Sequence, residues 1–119
     1  MNDIVFSFDT EGRFSGYYQS YLHNYHNINL AKLVGKKYHE ILPGDISEKL
    51  DQAINAIIDT GQNQQFDFSM NIHEKTQWYD TNISPVINGS GSISGFITVS
   101  RNITERKHMM ELILSLIHI

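Results

Sequence analysis

"GFITVSRNITERKHMMELILSLI", residues 95–117, changes its period halfway. The first part alternates as a strand does: Phe96, Thr98 and Ser100 fall on one face, Ile97, Val99 and Arg101 on the other. In the second part Met109, Leu112, Leu116 and Ile119 recur at steps of three, four and three, the spacing of one helix face. A strand that feeds directly into a helix still half apolar at its far end is the feature from which the rest of the chain is read.

Working back from it, the period of two persists. "ISGFITVSRNI" (93–103) follows a flexible loop, "NGSGS" (88–92), and before that "QWYDTNISPVI" (77–87), with Pro85 near its end where a missing N–H is tolerated. "HEKT" (73–76) turns the chain, and from Gln65 the residues Phe66, Phe68, Met70 and Ile72 alternate with Asp67, Ser69 and Asn71 as a half-buried antiparallel strand. Upstream the period becomes helical. Ile46, Leu50, Ala53, Ile54, Ile57 and Ile58 mark one face of a helix over about 46–59. Asp45 and Glu48 read as its capping pair and Gly61 as its stop. "VGKKYHEILP" (34–43) predicts a brief helix closed by Pro43, and residues 18–34 predict short helical turns and loops. At the start, Ile4–Phe8 and Phe14–Tyr18 flank the turn "DTEG", where Gly12 accepts positive φ. Two strands, short helices, a longer helix, three strands and a helix predict an α+β fold: a five-stranded antiparallel sheet with helices packed on one face, plus a C-terminal helix.

The 119 residues suffice for one core, and net charge -4 with 18% charged residues gives no basic face for nucleic acid. Arg101, Arg106 and Lys107 are interleaved with Glu105 and followed by Glu111, a solvated helix start. There is no cysteine, which excludes disulfides, thiolate metal sites, thiol nucleophiles and cysteine-linked chromophores, and fits a reducing cytoplasm. No apolar run reaches the ~18 residues of a membrane span, and the N-terminus does not read as a signal peptide.

The candidates for chemistry are sparse. His23 and His26 have a metal-like spacing without a third ligand, His73 falls in a turn, and His108 precedes Met-Met-Glu-Leu, so no metal site is expected. No nucleophile elbow, phosphate loop or zinc-hydrolase motif is present, and no catalytic residue is assigned. Between sheet and helices the sequence allows a packed core or a small-molecule cavity. Its walls would be Phe6 or Phe8, Tyr21, His39, Ile54, Ile57, Phe66, Phe68, Tyr79, Thr81, Ile97 and Val99. A one-residue slip of strand face would exchange Tyr79 and Thr81 for Trp78 and Asp80.

"FDTEGRF" (8–14), "LVGKKYHEILP" (33–43), "WYDTNISPV" (78–86) and "GFITVSRNITERK" (95–107), in that order, resemble the PAS domain family of sensor modules over about residues 4–107. The last stretch is similar to the family's final strand and its Asp-x-Thr-Glu-Arg junction into a signalling helix, so Asn102, Thr104 and Glu105 stand at the signal junction, with Asn102 in place of the family's Asp. A second departure is the family's Asn after the second strand, where Tyr17 and Tyr18 stand. The resemblance implies a sensor domain over 1–103 and the start of a connector or coiled-coil helix over 104–119. Haem-binding members carry a His on the central helix, which here has none, and flavin photosensors an Asn-Cys word, which is absent; the cofactor is unknown, with haem, flavin and cysteine-linked chromophores disfavoured. Met109, Leu112 and Leu116 give a seam for a homodimer helix, with Ile103, Met110, Leu114 and Ile117 as a second register; a helix folded back on its own domain is the other reading. The expected function is a non-catalytic sensory and dimerisation module of a larger signalling protein such as a sensor histidine kinase. Its expected partners are a small ligand and an effector domain in the same parent chain, in the cytoplasm, within a parent that is membrane-associated or not. The alternatives are a ligand-free dimerisation spacer and a small α+β hydratase or isomerase using His39 or Asp80 as base.

Overall fold

The structure, a computed structural model, describes residues 3–19 and 30–117. Strands β1 (Asp3–Asp9), β2 (Phe14–Gln19), β3 (Gln64–Ile72), β4 (Lys75–Ile87) and β5 (Ile93–Asn102) form one antiparallel sheet in the order β2-β1-β5-β4-β3. Three hairpins build it, and the last strand closes the domain by pairing with the first, Phe8 opposite Phe96 and Ile4 opposite Ser100. A short 3-10 turn (Leu30–Leu33) and helices α1 (Tyr38–Ile41) and α2 (Gly44–Thr60) lie between β2 and β3; α3 (Thr104–Ile117) follows β5.

The turns follow from local chemistry. In the first hairpin the Asp9 carboxylate accepts the N–H groups of Glu11 and Arg13, each at 2.9 Å, and Gly12 has φ 81°. A Cβ at Gly12 would stand 2.8 Å from the Tyr38 ring, so this turn also admits α1 to the sheet. The β3–β4 loop is two residues, His73 and Glu74, both with positive φ, the turn whose twist matches a hairpin.

Helix α2 departs from expectation at its start. It begins at Gly44, Pro43 precedes it with φ -52°, and no side chain caps it, so Asp45 and Glu48 are not a capping pair; Asp45 sits inside the first turn, where its charge suits the helix dipole. Its end is as read: Gly61 adopts φ 70° and its N–H bonds Ile57 O at 2.7 Å. Ile46, Leu50, Ala53 and Ile57 are buried, whereas Ile58, turned 100° beyond Ile57, is exposed. The packed core joins Phe8, Phe14, Tyr38, Leu50, Ala53, Ile57, Ile83 and Phe96. Gly95 lies over the Phe8 carbonyl oxygen, 2.3 Å from where a Cβ would be, so β1 and β5 meet there only because the side chain is absent.

Strand β5 presents the face opposite to the one expected. Phe96, Thr98 and Ser100 are buried towards the helices, while Ile97 and Val99 point to the other side of the sheet, Ile97 exposed and Val99 half-buried. The strand is central, between β1 and β4, and Ile97 and Val99 on its outer face are more apolar than Thr98 and Ser100 inside, so hydropathy alone pointed the wrong residues inward.

Helix α3 does not fold back: every residue from His108 to Ile117 is exposed. Ile103, expected in a second helix register, is instead buried at the root of the helix. Ile119 lies outside the described residues.

Candidate functional site

An apolar cavity of about 350 Å³ lies beside the packed core, between the inner face of the sheet and α1 with the first turns of α2. Ile4, Phe6 and Phe8 of β1, Phe14 of β2, Phe66, Phe68, Met70 and Ile72 of β3, Tyr79 and Thr81 of β4, and Thr98 and Ser100 of β5 form the sheet side; Leu33, Ile41, Leu42, Pro43, Ile46 and Leu50 form the helical side. The alternation of β3 and β4 explains half of the sheet side, since inward residues two apart share a face. Phe68 and Tyr79, directly opposite in the register, stack with centroids 5.2 Å apart. The Thr81 and Ser100 hydroxyls, also opposite, are 2.8 Å apart and buried.

Of the residues named from sequence, Phe6, Phe8, Phe66, Phe68, Tyr79 and Thr81 stand on this wall. Ile57 is wholly buried in the core beside it, and Ile54 packs against that core without reaching the cavity. Ile97 and Val99 are on the far face, their places taken by Thr98 and Ser100, which were missed because hydroxyls do not read as core. Tyr21, like His23 and His26, lies outside the described residues. His39 turns away from the cavity: its ring stacks on Tyr38 at 4.6 Å and its Nε2 is 2.7 Å from the Asp51 carboxylate on α2. The Tyr38 hydroxyl donates to the same carboxylate, and burial, reinforced by that bond and by the Asp51 charge, raises the phenol above its ordinary pKa. Tyr38, His39 and Asp51 thus clasp α1 to α2. Asp80 is on the outer face, accepting from the Gln65 amide at 2.7 Å, so neither proposed base faces the cavity.

The same strands continue into the root of α3. The Asn102 carboxamide oxygen accepts the Thr104 N–H at 3.0 Å and the Thr104 hydroxyl at 2.6 Å, and its NH₂ donates to Gln77 Oε1 at 3.0 Å. Trp78 of β4 is engaged through both backbone groups: its N–H donates to Thr104 Oγ1 at 2.9 Å and its carbonyl accepts the Ile103 N–H at 2.8 Å. Lys107 Nζ lies 4.6 Å over the Trp78 ring. Glu105 is exposed in the first turn, outside this network. Gln77, Trp78 and Lys107 were not assigned to the helix root from sequence, because their roles there arise from pairing across β4 and β5 rather than from spacing. Met109, Leu112 and Leu116 are exposed together with Met110, Ile113, Leu114 and Ile117, so the apolar surface is an arc of roughly 200° rather than a narrow seam.

Among the described residues no cluster of three His, Cys, Asp or Glu side chains gathers to hold a metal ion, and no helix is long and apolar enough to cross a membrane.

A five-stranded antiparallel sheet with an apolar cavity between its inner face and the helices, followed by a helix exposed along most of its length, defines an α+β module with a candidate binding site. The chain belongs to the PAS-fold family, whose model matches residues 1–108. No curated protein matches it. Among solved structures it is similar to the PAS domain of a Colwellia psychrerythraea protein (12% identity, 87% of each chain, TM-score 0.68). A sensory box sensor histidine kinase from Vibrio cholerae is also similar (10% identity, 86% of this chain and 82% of that one, TM-score 0.67). So is the PAS domain of Bordetella pertussis BvgS (21% identity, 99% and 88%, TM-score 0.59).

Proposed function

We propose that this chain is a non-catalytic sensory and dimerisation module of a larger signalling protein, in which occupancy of the cavity alters how α3 is seated on β4. The observation that carries this reading is that two strands serve both ends. Tyr79 and Thr81 of β4 and Thr98 and Ser100 of β5 wall the cavity; Trp78, next to Tyr79, and Asn102, two residues past Ser100, hold the helix. A ligand that spreads or tightens β4 against β5 therefore acts on the helix root without a separate relay, provided it binds the two seatings unequally. Residues 1–103 act as the sensor, residues 104–119 as the start of the connector. The apolar arc of α3 pairs with that of a second copy, and an effector domain in the same parent chain reads the pairing. The likeness to the Vibrio cholerae sensor histidine kinase supports a sensor histidine kinase as parent, and the domain is read as cytoplasmic.

A dimerisation spacer is the second reading, favoured by the seven large apolar side chains exposed on α3. Native mass spectrometry of the purified chain, set against its denatured mass, separates the two. A dimer carrying extra mass that is lost on denaturation supports the sensor. A dimer of bare chains supports the spacer, and a bare monomer overturns both.

A further inference from the structure

Resting on that reading, the wall of the cavity also restricts what enters it. We propose that the ligand is a neutral amphipathic molecule, an aliphatic or aromatic body with one hydrogen-bonding group, and that this group docks on the Thr81–Ser100 hydroxyl pair.

Size comes first. At about 30 Å³ for each water-sized group, 350 Å³ accommodates about 12 such groups. Charge comes second. Among the described residues, the wall contains no Lys, Arg, His, Asp or Glu. The N-terminus of α2 approaches through Pro43 and Ile46, but Asp45 in its first turn already answers the helix dipole. His39, the nearest basic group on α1, is committed to Asp51 on the outside. A carboxylate, phosphate or ammonium would thus leave water with no oppositely charged partner among the described residues of the wall, which is costly in an apolar space.

The polar anchor comes third. Each hydroxyl has one proton and two lone pairs, and the 2.8 Å bond between Thr81 and Ser100 uses one proton. The pair therefore keeps one proton to donate and lone pairs to accept, on the wall of an otherwise apolar space. The Thr98 hydroxyl is turned to the Phe6 carbonyl oxygen at 3.5 Å, which leaves the Thr81–Ser100 pair as the better placed anchor. An alcohol, ketone or amide oxygen satisfies it, and a pure hydrocarbon does not.

The test is calorimetric titration of the full chain at pH 8 with 1-decanol and with decanoate, which match in length and differ in charge. Decanol is expected to bind one per chain, and decanoate about 100-fold more weakly. The Thr81→Val/Ser100→Ala double variant, or Ser100→Ala alone if circular dichroism shows the double variant unfolded, is expected to weaken decanol about tenfold. Decanoate binding as tightly as decanol overturns the neutral class while leaving a ligand-binding cavity. Decanol affinity unchanged in the variants overturns the hydroxyl anchor. Failure of both compounds to bind overturns this inference together with the sensor reading.

Discussion

Asn102 and Thr104 are joined twice within three residues: one carboxamide oxygen takes both the backbone N–H and the hydroxyl of Thr104. The other end of the same amide donates to Gln77 on the neighbouring strand. Where the family carries Asp, this chain thus has a group that caps and donates together. Asn102→Ala is expected to cost about 1–2 kcal/mol, the worth of a cap and a side-chain bond. Asn102→Asp retains the cap and loses the donor to Gln77, so it falls between. Hydrogen exchange of the α3 amides reads the effect; faster exchange in α3 with an unchanged sheet confirms the junction, and unchanged α3 protection in Asn102→Ala refutes it.

The reversed face of β5 separates two isoleucines that sequence treats alike. Ile57→Ala is expected to destabilise by about 2–5 kcal/mol, because it opens a void in the core, and Ile97→Ala by under about 1 kcal/mol. Urea denaturation of the two variants decides it. Comparable losses would put Ile97 inside.

Gly95→Ala places a methyl against the Phe8 carbonyl oxygen, a backbone atom held in the central ladder. Overpacking of this kind is expected to cost about 3 kcal/mol. A thermal melt near that of the parent would show that β1 and β5 are not so closely apposed.

The Tyr38 phenol titrates higher in the folded chain than in the unfolded one, where its pKa is about 10. Between those values the folded state holds more protons, so stability falls as pH rises above about 10 and is unaffected by this group below it. Tyr38→Phe is expected to remove that part of the alkaline slope. An identical slope in denaturation midpoints from pH 9 to 11 would mean that Tyr38 titrates alike in both states.

The inward wall of β3 and β4 was legible because Phe66, Phe68, Tyr79 and Thr81 alternate with residues that prefer water. On β5 the alternation carried no sign: Ile97 and Val99 are as apolar as anything facing the helices, and the inward residues include Thr98 and Ser100. Asp45 and Glu48 have the spacing of a capping pair, but the helix begins at Gly44, so Asp45 lies inside the first turn instead of at the cap position.

The sequence by itself determined the order of elements, the stop at Gly61, the hairpin turn at Gly12 and the passage from β5 into α3. Periodicity and turn chemistry are local, written within a few residues. Only the tertiary structure decided which face of β5 is inside, that His39 answers Asp51 twelve positions away rather than the cavity, and that Gln77 and Trp78 hold the root of α3. Those outcomes depend on what lies across the sheet. A strand's own pattern states that its two faces differ, and the strands and helices packed against it settle which one is covered.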